Sequence, residues 1–137
     1  MNGGEIPQGP DQGNVAEPSI PFKKVLESQC ATAIIELDKA KQKSTLLAVA
    51  LKIGVGTADI LESMRVDKRI VASFEQDGKT MLQTYERRRP LFIQLHGKDI
   101  KLTELAKKMK MGTKDATNYF ARHPDIPEAF NFMILKT

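Results

Sequence analysis

The chain has 137 residues, of which 41% are hydrophobic, and its formal net charge is +4. This length and composition favour one domain with a buried core that needs neither disulfides nor metals. The single cysteine, Cys30, excludes an internal disulfide, and no apolar run approaches the roughly 20 residues that cross a bilayer. A secretory signal has basic residues followed by an apolar block, and residues 1–20 contain neither. We therefore expect a cytoplasmic, nucleoid-associated protein with no membrane partner.

Charge is unevenly distributed along the chain. Residues 1–21 carry three acidic side chains and no basic one, together with four Gly and four Pro, and this composition predicts a disordered tail. The remaining residues carry a net charge of +7, and the stretch 79–110 alone holds nine basic and three acidic side chains. A basic body favours a polyanionic partner, although a Lys-rich solvated surface has the same composition.

Helical spacing begins after this tail. Apolar residues recur every three or four positions over Phe22–Lys43, which predicts an amphipathic helix. Thr45–Ile53 is nearly all apolar and predicts a second, more deeply buried helix ended by the glycines that follow it. Thr57 and Asp67 are suitable caps for two further helices, the second of which is expected to end at Gly78.

The second half of the chain continues the helical pattern. Lys79–Arg89 predicts a helix ended by Pro90, because proline disfavours the helical conformation in the residue before it. Leu91–Leu95 is too short to assign to a strand or a helical turn. The last three predicted helices are one capped by Thr103, one capped by Thr113 after a break at Gly112, and Ile126–Ile134. This pattern leaves little room for a sheet, so we predict an all-α fold with a single helical domain over residues 22–137.

Residues 103–122, TELAKKMKMGTKDATNYFAR, have the spacing of a helix-turn-helix unit. Ala106 is the small residue at the helix crossing, and Met111 fills the corner of the turn after Met109 closes the first helix. Ala116 and Tyr119 are the inward residues of the second helix. The stretch resembles the helix-turn-helix units of bacterial transcription regulators, in which an Ala is followed four residues later by a Gly, then by an apolar residue and a Ser or Thr.

The chain departs from this resemblance at Lys110, which stands where the Gly is usual. Either the turn is one residue longer here, or Lys110 adopts a backbone angle that a side chain disfavours.

Residues 58–77 form a second helix-turn-helix candidate. Leu61 stands at the helix crossing, Met64 closes the first helix and Val66 is placed to fill the turn. Val71 and Phe74 are the inward residues of the second helix. Leu61 is larger than the small residue preferred at the crossing. With their flanking residues, the two candidate units span 57–78 and 103–123 of the predicted domain.

Both units have polar and basic side chains on their outer faces, which suit phosphates and base edges. The predicted DNA-binding residues are Lys110, Thr113, Lys114, Asn118 and Arg122 in the second unit and Arg65, Lys68, Arg69, Ser73 and Gln76 in the first. Asn118, Gln76 and Arg69 can form paired hydrogen bonds with bases, whereas lysines suit phosphates as point charges. The cluster Arg87, Arg88 and Arg89 either clamps a DNA backbone or forms the solvated end of a helix.

Motifs for catalysis and metal binding are incomplete. Residues 77–80, DGKT, contain the Gly-Lys-Thr of a phosphate-binding loop, but Ser73 occupies the place of its first Gly and no strand precedes it. His96 and His123 are far apart and, with one Cys, make no recognised zinc-ligand spacing. No base is suggested by its spacing to a Ser or Cys nucleophile. We therefore expect no enzymatic activity, no cofactor and no metal.

Three functions are compatible with these features. The first is a transcriptional regulator that binds double-stranded DNA, as a homodimer through the helix Phe22–Lys43, since symmetric sites need two copies of a small reader. The second is a helical protein-interaction module, such as an adaptor or an anti-activator, because the six Met residues suit adaptable contact surfaces. The third is non-specific nucleic-acid binding, for which the aromatic content of 6% supplies few stacking platforms.

Overall fold

A computed structural model describes residues 20–136, so the predicted disordered tail lies outside the described residues except for Ile20 and Pro21. The elements follow in the order α1 (Glu27–Lys39), α2 (Leu46–Ile53), α3 (Thr57–Val66), α4 (Lys68–Ser73), α5 (Glu75–Gln94), β1 (Asp99–Lys101), α6 (Leu102–Lys108), α7 (Thr113–Arg122), α8 (Ile126–Phe130) and β2 (Met133–Leu135). The predicted mostly helical fold is confirmed. None of the helices in this part of the chain combines the length and apolarity needed to span a membrane.

The first helix is shorter at both ends than the predicted Phe22–Lys43. Before α1 the chain is extended and lies along α3, because the amide of Lys23 donates to Asp59 Oδ1 (2.9 Å) and the amide of Val25 donates to Ser63 Oγ (2.9 Å). After α1, Lys41 has a φ of +59° and turns the chain toward α2. Tertiary hydrogen bonds therefore replace the first turn of the predicted helix.

Both ends of α2 follow the prediction. Thr45 caps it by accepting a hydrogen bond from the amide of Ala48 (3.1 Å), and Gly54 ends it in the left-handed conformation. One face of α2 contributes Leu46, Val49 and Ala50 to the core.

The N-terminus of α3 is held by a side chain from the far end of the chain. The carboxylate of Asp125 accepts hydrogen bonds from the amides of Thr57 and Ala58, both at 2.9 Å, and from the hydroxyl of Thr57. Thr57 is therefore the first residue of α3 and not its cap as predicted. A Cβ atom on Gly56 would lie 2.2 Å from Asp125 Oδ2, so this close approach requires glycine.

The long helix α5 continues through both residues that were predicted to end helices, so these two predictions are wrong. Gly78 is buried where α4 and α5 cross, and a Cβ atom there would lie 2.3 Å from the carbonyl oxygen of Val71. Pro90 removes one hydrogen bond inside the helix. The helix continues because Phe92 is fully buried, with its ring centroid 5.5–6.5 Å from those of Tyr85, Tyr119, Phe120, Phe130 and Phe132.

The predicted last helix, Ile126–Ile134, is wrong beyond Phe130. Asn131 has a φ of +58° and ends α8, and the following residues form β2, which pairs in parallel with β1. Ile134 is half-buried, whereas the neighbouring Met133 is 59% exposed. This alternation is that of a strand, in which successive side chains point to opposite faces.

A polar network lies between α3 and α5. The carboxylate of Glu62 accepts hydrogen bonds from the hydroxyl of Tyr85 and from Arg89 Nε (2.7 Å). The side chains of Glu62 and Arg89 are only 11% and 13% exposed. Burial and the hydrogen bond to Glu62 raise the pKa of Tyr85, so its hydroxyl stays protonated and donates.

Candidate nucleic-acid interface

The connection between α6 and α7 is a tight turn over residues 109–112. Lys110 has a φ of +59°. Of the two alternatives for this turn, Lys110 therefore adopts the left-handed backbone conformation that glycine usually occupies, and the turn is not one residue longer. The amide of Lys110 donates to the carbonyl of Lys107 (3.0 Å), and the amide of Met111 donates to the carbonyl of Ala106 (3.0 Å). These two bonds make a Schellman motif that ends α6 and fixes the entry into α7.

We expect Lys110→Gly to raise the free energy of unfolding by about 1 kcal/mol. The substitution removes the clash of a Cβ atom in the left-handed conformation, and part of this gain is offset by the greater freedom of glycine in the unfolded chain. Chemical denaturation measures the change. Lys108→Gly, in the last turn of α6, is the matched control and should lower stability by about the same amount. Equal destabilisation by both changes would contradict the assigned turn.

The helix pair is packed by the residues that were predicted to face inward. Ala106, Met109, Ala116 and Tyr119 are buried, and Met111 is half-buried against the core. Because α7 is held through this side, its orientation relative to α6 is fixed.

The opposite side of α7 is exposed to solvent. It includes the predicted residues Thr113, Lys114 and Asn118. Thr117 and Ala121 are also exposed, and the sequence interpretation did not include them. Their spacing of four residues from Thr113 and from each other places them on the same face, so helical periodicity could have identified them.

The surroundings of this face are basic. All seven basic side chains between residues 98 and 122 are exposed: Lys98, Lys101, Lys107, Lys108, Lys110, Lys114 and Arg122. The same stretch has three acidic side chains, which are also exposed: Asp99, Glu104 and Asp115. The positive charge is therefore available to an anionic partner and is not used inside the fold.

One edge of α7 borders a groove, here called the α5–α7 groove, with a volume of about 920 Å³. It lies between α7, α5 and the connection from α1 to α2. Asn118, Ala121 and Arg122 line this groove, whereas Thr113, Lys114 and Thr117 do not. The predicted residues of α7 thus lie partly on its outer face and partly at the groove edge.

The first candidate unit does not have the predicted corner. Val66, predicted to fill the turn, is 88% exposed, and Asp67 is the single residue between α3 and α4. Asp67 caps α4 as predicted by accepting a hydrogen bond from the amide of Arg69 (3.1 Å). The guanidinium of Arg69 also binds this carboxylate, which lowers the pKa of Asp67. Gln76 lies in α5 and not on the second helix of the unit.

The other predicted residues of the first unit are dispersed. Arg65 forms ion pairs with Glu62 (3.2 Å) and Glu86 (3.9 Å). Lys68 is exposed, and the hydroxyl of Ser73 donates to the carbonyl one turn earlier (3.5 Å). Lys68 and Gln76 line one groove between α4 and α5, whereas Arg65 and Arg69 are held in ion pairs.

The arginine cluster at 87–89 is divided among three environments. Arg87 is exposed. The guanidinium of Arg88 lies 4.7 Å above the ring centroid of Tyr119, and Arg89 is paired with Glu62 inside the fold. The three side chains therefore do not present a common surface.

His123 follows α7 and is 6% exposed, with its ring centroid 4.7 Å from that of Tyr119. Burial, followed by the charge of Arg122, lowers the pKa of His123 to about 4. The imidazole is therefore neutral at neutral pH. Its Nδ1 atom has no hydrogen-bond partner within residues 20–136, and the hydroxyl of Tyr119 has no acceptor for its proton there.

This burial predicts a loss of stability in mild acid. The unfolded chain binds a proton at His123 near pH 6.5, whereas the folded chain binds one only near pH 4, so falling pH favours unfolding across that window. We expect the contribution of His123 to the free energy of unfolding to fall by about 2 kcal/mol between pH 6.5 and 5. Denaturation of the parent and of His123→Phe at several pH values measures it. Parallel pH profiles for the two proteins would contradict a neutral, buried His123.

Comparison with protein-family models, with curated proteins and with solved structures finds no significant match.

Proposed function

We propose that this protein binds duplex DNA by placing the outer face of α7 in the major groove. The observation that carries the proposal is the exposed row formed by Thr113, Lys114, Thr117 and Ala121 on a helix fixed from behind by α6 and the tight turn. A fixed helix with one free polar face meets the steric requirement for groove insertion.

The side chains of this row suit a close approach to bases. The major groove is about 12 Å wide and admits an α-helix. Thr117 and Ala121 are short, so the helix backbone can come near the base edges. Asn118, at the edge of the row, can form two hydrogen bonds with an adenine, and Lys114 can reach a guanine or a phosphate. We assign base recognition to these two longer side chains.

We assign the phosphate contacts to the lysines that flank α7. Lys107, Lys108 and Lys110 lie at the end of α6 and in the turn, and all three are exposed. If roughly four lysines neutralise phosphates, the logarithm of the affinity falls against the logarithm of salt concentration with a slope of about −3.6. A steep salt dependence is thus part of the proposal.

The homodimer contact was expected on the helix Phe22–Lys43, which corresponds to α1. On α1, Cys30, Ala33 and Leu37 are buried in the core of the same chain, whereas Ile35 is 54% exposed. We therefore propose one copy per recognised half-site and assign no dimer contact to α1. The mass of the protein–DNA complex distinguishes one copy from two.

The test is fluorescence anisotropy of labelled duplexes selected from a randomised pool. We expect Lys114→Ala combined with Asn118→Ala to weaken binding to the selected duplex about 100-fold, because two base contacts are lost. The matched control is Lys68→Ala combined with Gln76→Ala, which makes the same kind of change in the first candidate unit. It should stay within about twofold of the parent affinity, as expected for residues away from the DNA.

The alternatives predict different results. Loss of affinity in the Lys68/Gln76 variant alone would place the interface on α4 and α5. Equal binding to every duplex would favour non-specific association through charge. Absence of binding even at low salt would contradict the proposal and favour the protein-interaction module.

A further inference from the structure

The α5–α7 groove has the size of a ligand site. Its volume of about 920 Å³ lies within the range of about 300–1,000 Å³ that is usual for small-molecule pockets. Apolar side chains supply much of its wall: Ile34, Leu46, Leu47, Phe74, Met81 and Met111. A ligand with an apolar body could be largely enclosed there.

Two polar groups with unsatisfied hydrogen bonding lie at this groove. Tyr119 and His123 both line it and are 4% and 6% exposed. Nδ1 of His123 has no hydrogen-bond partner among the described residues, and the Tyr119 hydroxyl, beside the donor Arg88, has no acceptor for its proton. Native proteins rarely leave buried polar groups unpaired, so a bound molecule that accepts the proton of Tyr119 is a physical explanation for its hydroxyl.

The surroundings of this pair favour an anion. Arg88 and Arg122 line the same groove, and their charges act on both Tyr119 and His123. An arginine can only donate hydrogen bonds, so neither can accept the proton of the Tyr119 hydroxyl. Asp125, which also acts on His123, is engaged by the N-terminus of α3.

Carboxylates line other parts of the groove: Asp38, Glu75, Asp77 and Asp115. Against Arg88 and Arg122, they leave the groove lining as a whole with a net negative charge. A ligand carboxylate therefore fits only beside an arginine, as at Arg88 over Tyr119.

We propose that the α5–α7 groove binds a small organic acid, with its carboxylate at Tyr119 and Arg88 and its apolar body against the groove wall. The carboxylate accepts the proton of the Tyr119 hydroxyl and a hydrogen bond from the guanidinium of Arg88. Arg88 covers the Tyr119 ring and the hydroxyl is buried, so this binding mode requires the Arg88 side chain to move aside. This inference does not depend on DNA binding by α7.

The test is an NMR titration of the ¹⁵N-labelled full-length chain with phenylacetate, with phenylacetamide as the neutral analogue of equal shape, and with inorganic phosphate. We expect phenylacetate to shift the amides around Tyr119 and His123 saturably, with a Kd of about 1 mM for so small a ligand. Tyr119→Phe and Arg88→Gln should each weaken this binding about tenfold.

Controls separate binding from folding. Arg87→Gln removes a neighbouring charge that does not line the groove, and it should leave the Kd within about twofold. Tyr119→Phe keeps the buried ring and removes the unpaired hydroxyl, so its melting temperature should not fall. Equal affinity for phenylacetamide would overturn the anionic site, and equal affinity for phosphate would overturn the role of the apolar body. Absence of saturable shifts in the parent protein would overturn the proposal as a whole.

Discussion

Replacing Asp125 by Ala is expected to lower the free energy of unfolding by about 4 kcal/mol. The carboxylate accepts three hydrogen bonds from Thr57 and Ala58, which are both fully buried. Hydrogen bonds to a charged group contribute about 1.5–3 kcal/mol each, and the substitution leaves buried donors without an acceptor. It also removes a negative charge from the positive end of the α3 dipole. Urea denaturation measures the loss, and Asp99→Ala, at an exposed position, is the control.

A second substitution tests the geometry of this contact. Gly56→Ala places a methyl group against the carboxylate of Asp125, so it should be strongly destabilising in the parent chain. In the Asp125→Ala background the clash is absent, and the cost of Gly56→Ala should fall by at least about 1 kcal/mol. Additive effects of the two changes would show that Asp125 does not lie against Gly56.

Replacing Glu62 by Ala is expected to lower the free energy of unfolding by about 4 kcal/mol. The change leaves the charge of Arg89, at a site that is only 13% exposed, without the carboxylate that faces it. It also removes the acceptor of the fully buried Tyr85 hydroxyl. Thermal and chemical denaturation of the single variant measure the loss.

The double variant Glu62→Leu with Arg89→Met gives the matched comparison. The double variant removes the buried guanidinium together with the carboxylate that faces it, so it should be more stable than Glu62→Ala alone. A double variant that is less stable than the single one would show that the network contributes through packing and not through charge pairing.

Local rules predicted only part of the elements whose causes are local. Asp67 caps α4 as predicted, because its side-chain oxygen lies two residues before the amide of Arg69. The predicted caps Thr103 and Thr113 are wrong, since Thr103 lies inside α6 and Thr113 is the first residue of α7 after Gly112. The inward residues of α6 and α7 followed from helical periodicity alone. The exposure of Thr113, Lys114 and Asn118 followed from the same periodicity.

The errors occur where a distant partner decides the local structure. Pro90 does not end α5 because the aromatic rings around Phe92 come from α7, α8 and the C-terminal segment. Residues 133–135 form a strand because Asp99–Lys101 lies beside them, and no local pattern identifies that partner. Val66 matched the spacing of a turn residue, yet a connection of one residue leaves no corner to fill.

The sequence identified candidate residues for the site, but it did not show which of them lie together on one surface. The sequence already favoured the unit at 103–122 over the one at 58–77, where Leu61 occupies the crossing, and the packing adds that the first unit has no corner for Val66. The α5–α7 groove was not predictable, because it forms between segments that are far apart in the chain. Tyr119 was correctly assigned to the inward side of α7, but its unpaired hydroxyl depends on which residues surround it in three dimensions.

The contact between Asp125 and Thr57 also determines which parts of the chain can open independently. It joins residues 68 positions apart in a chain of 137, so its formation closes about half of the chain into a loop. The first amides of α3 lose their acceptor whenever α8 detaches, and the two ends of this loop are thereby coupled. Local opening at one end is then accompanied by fraying at the other, and the amide hydrogens of Thr57 and Ala58 exchange with solvent only through these larger openings.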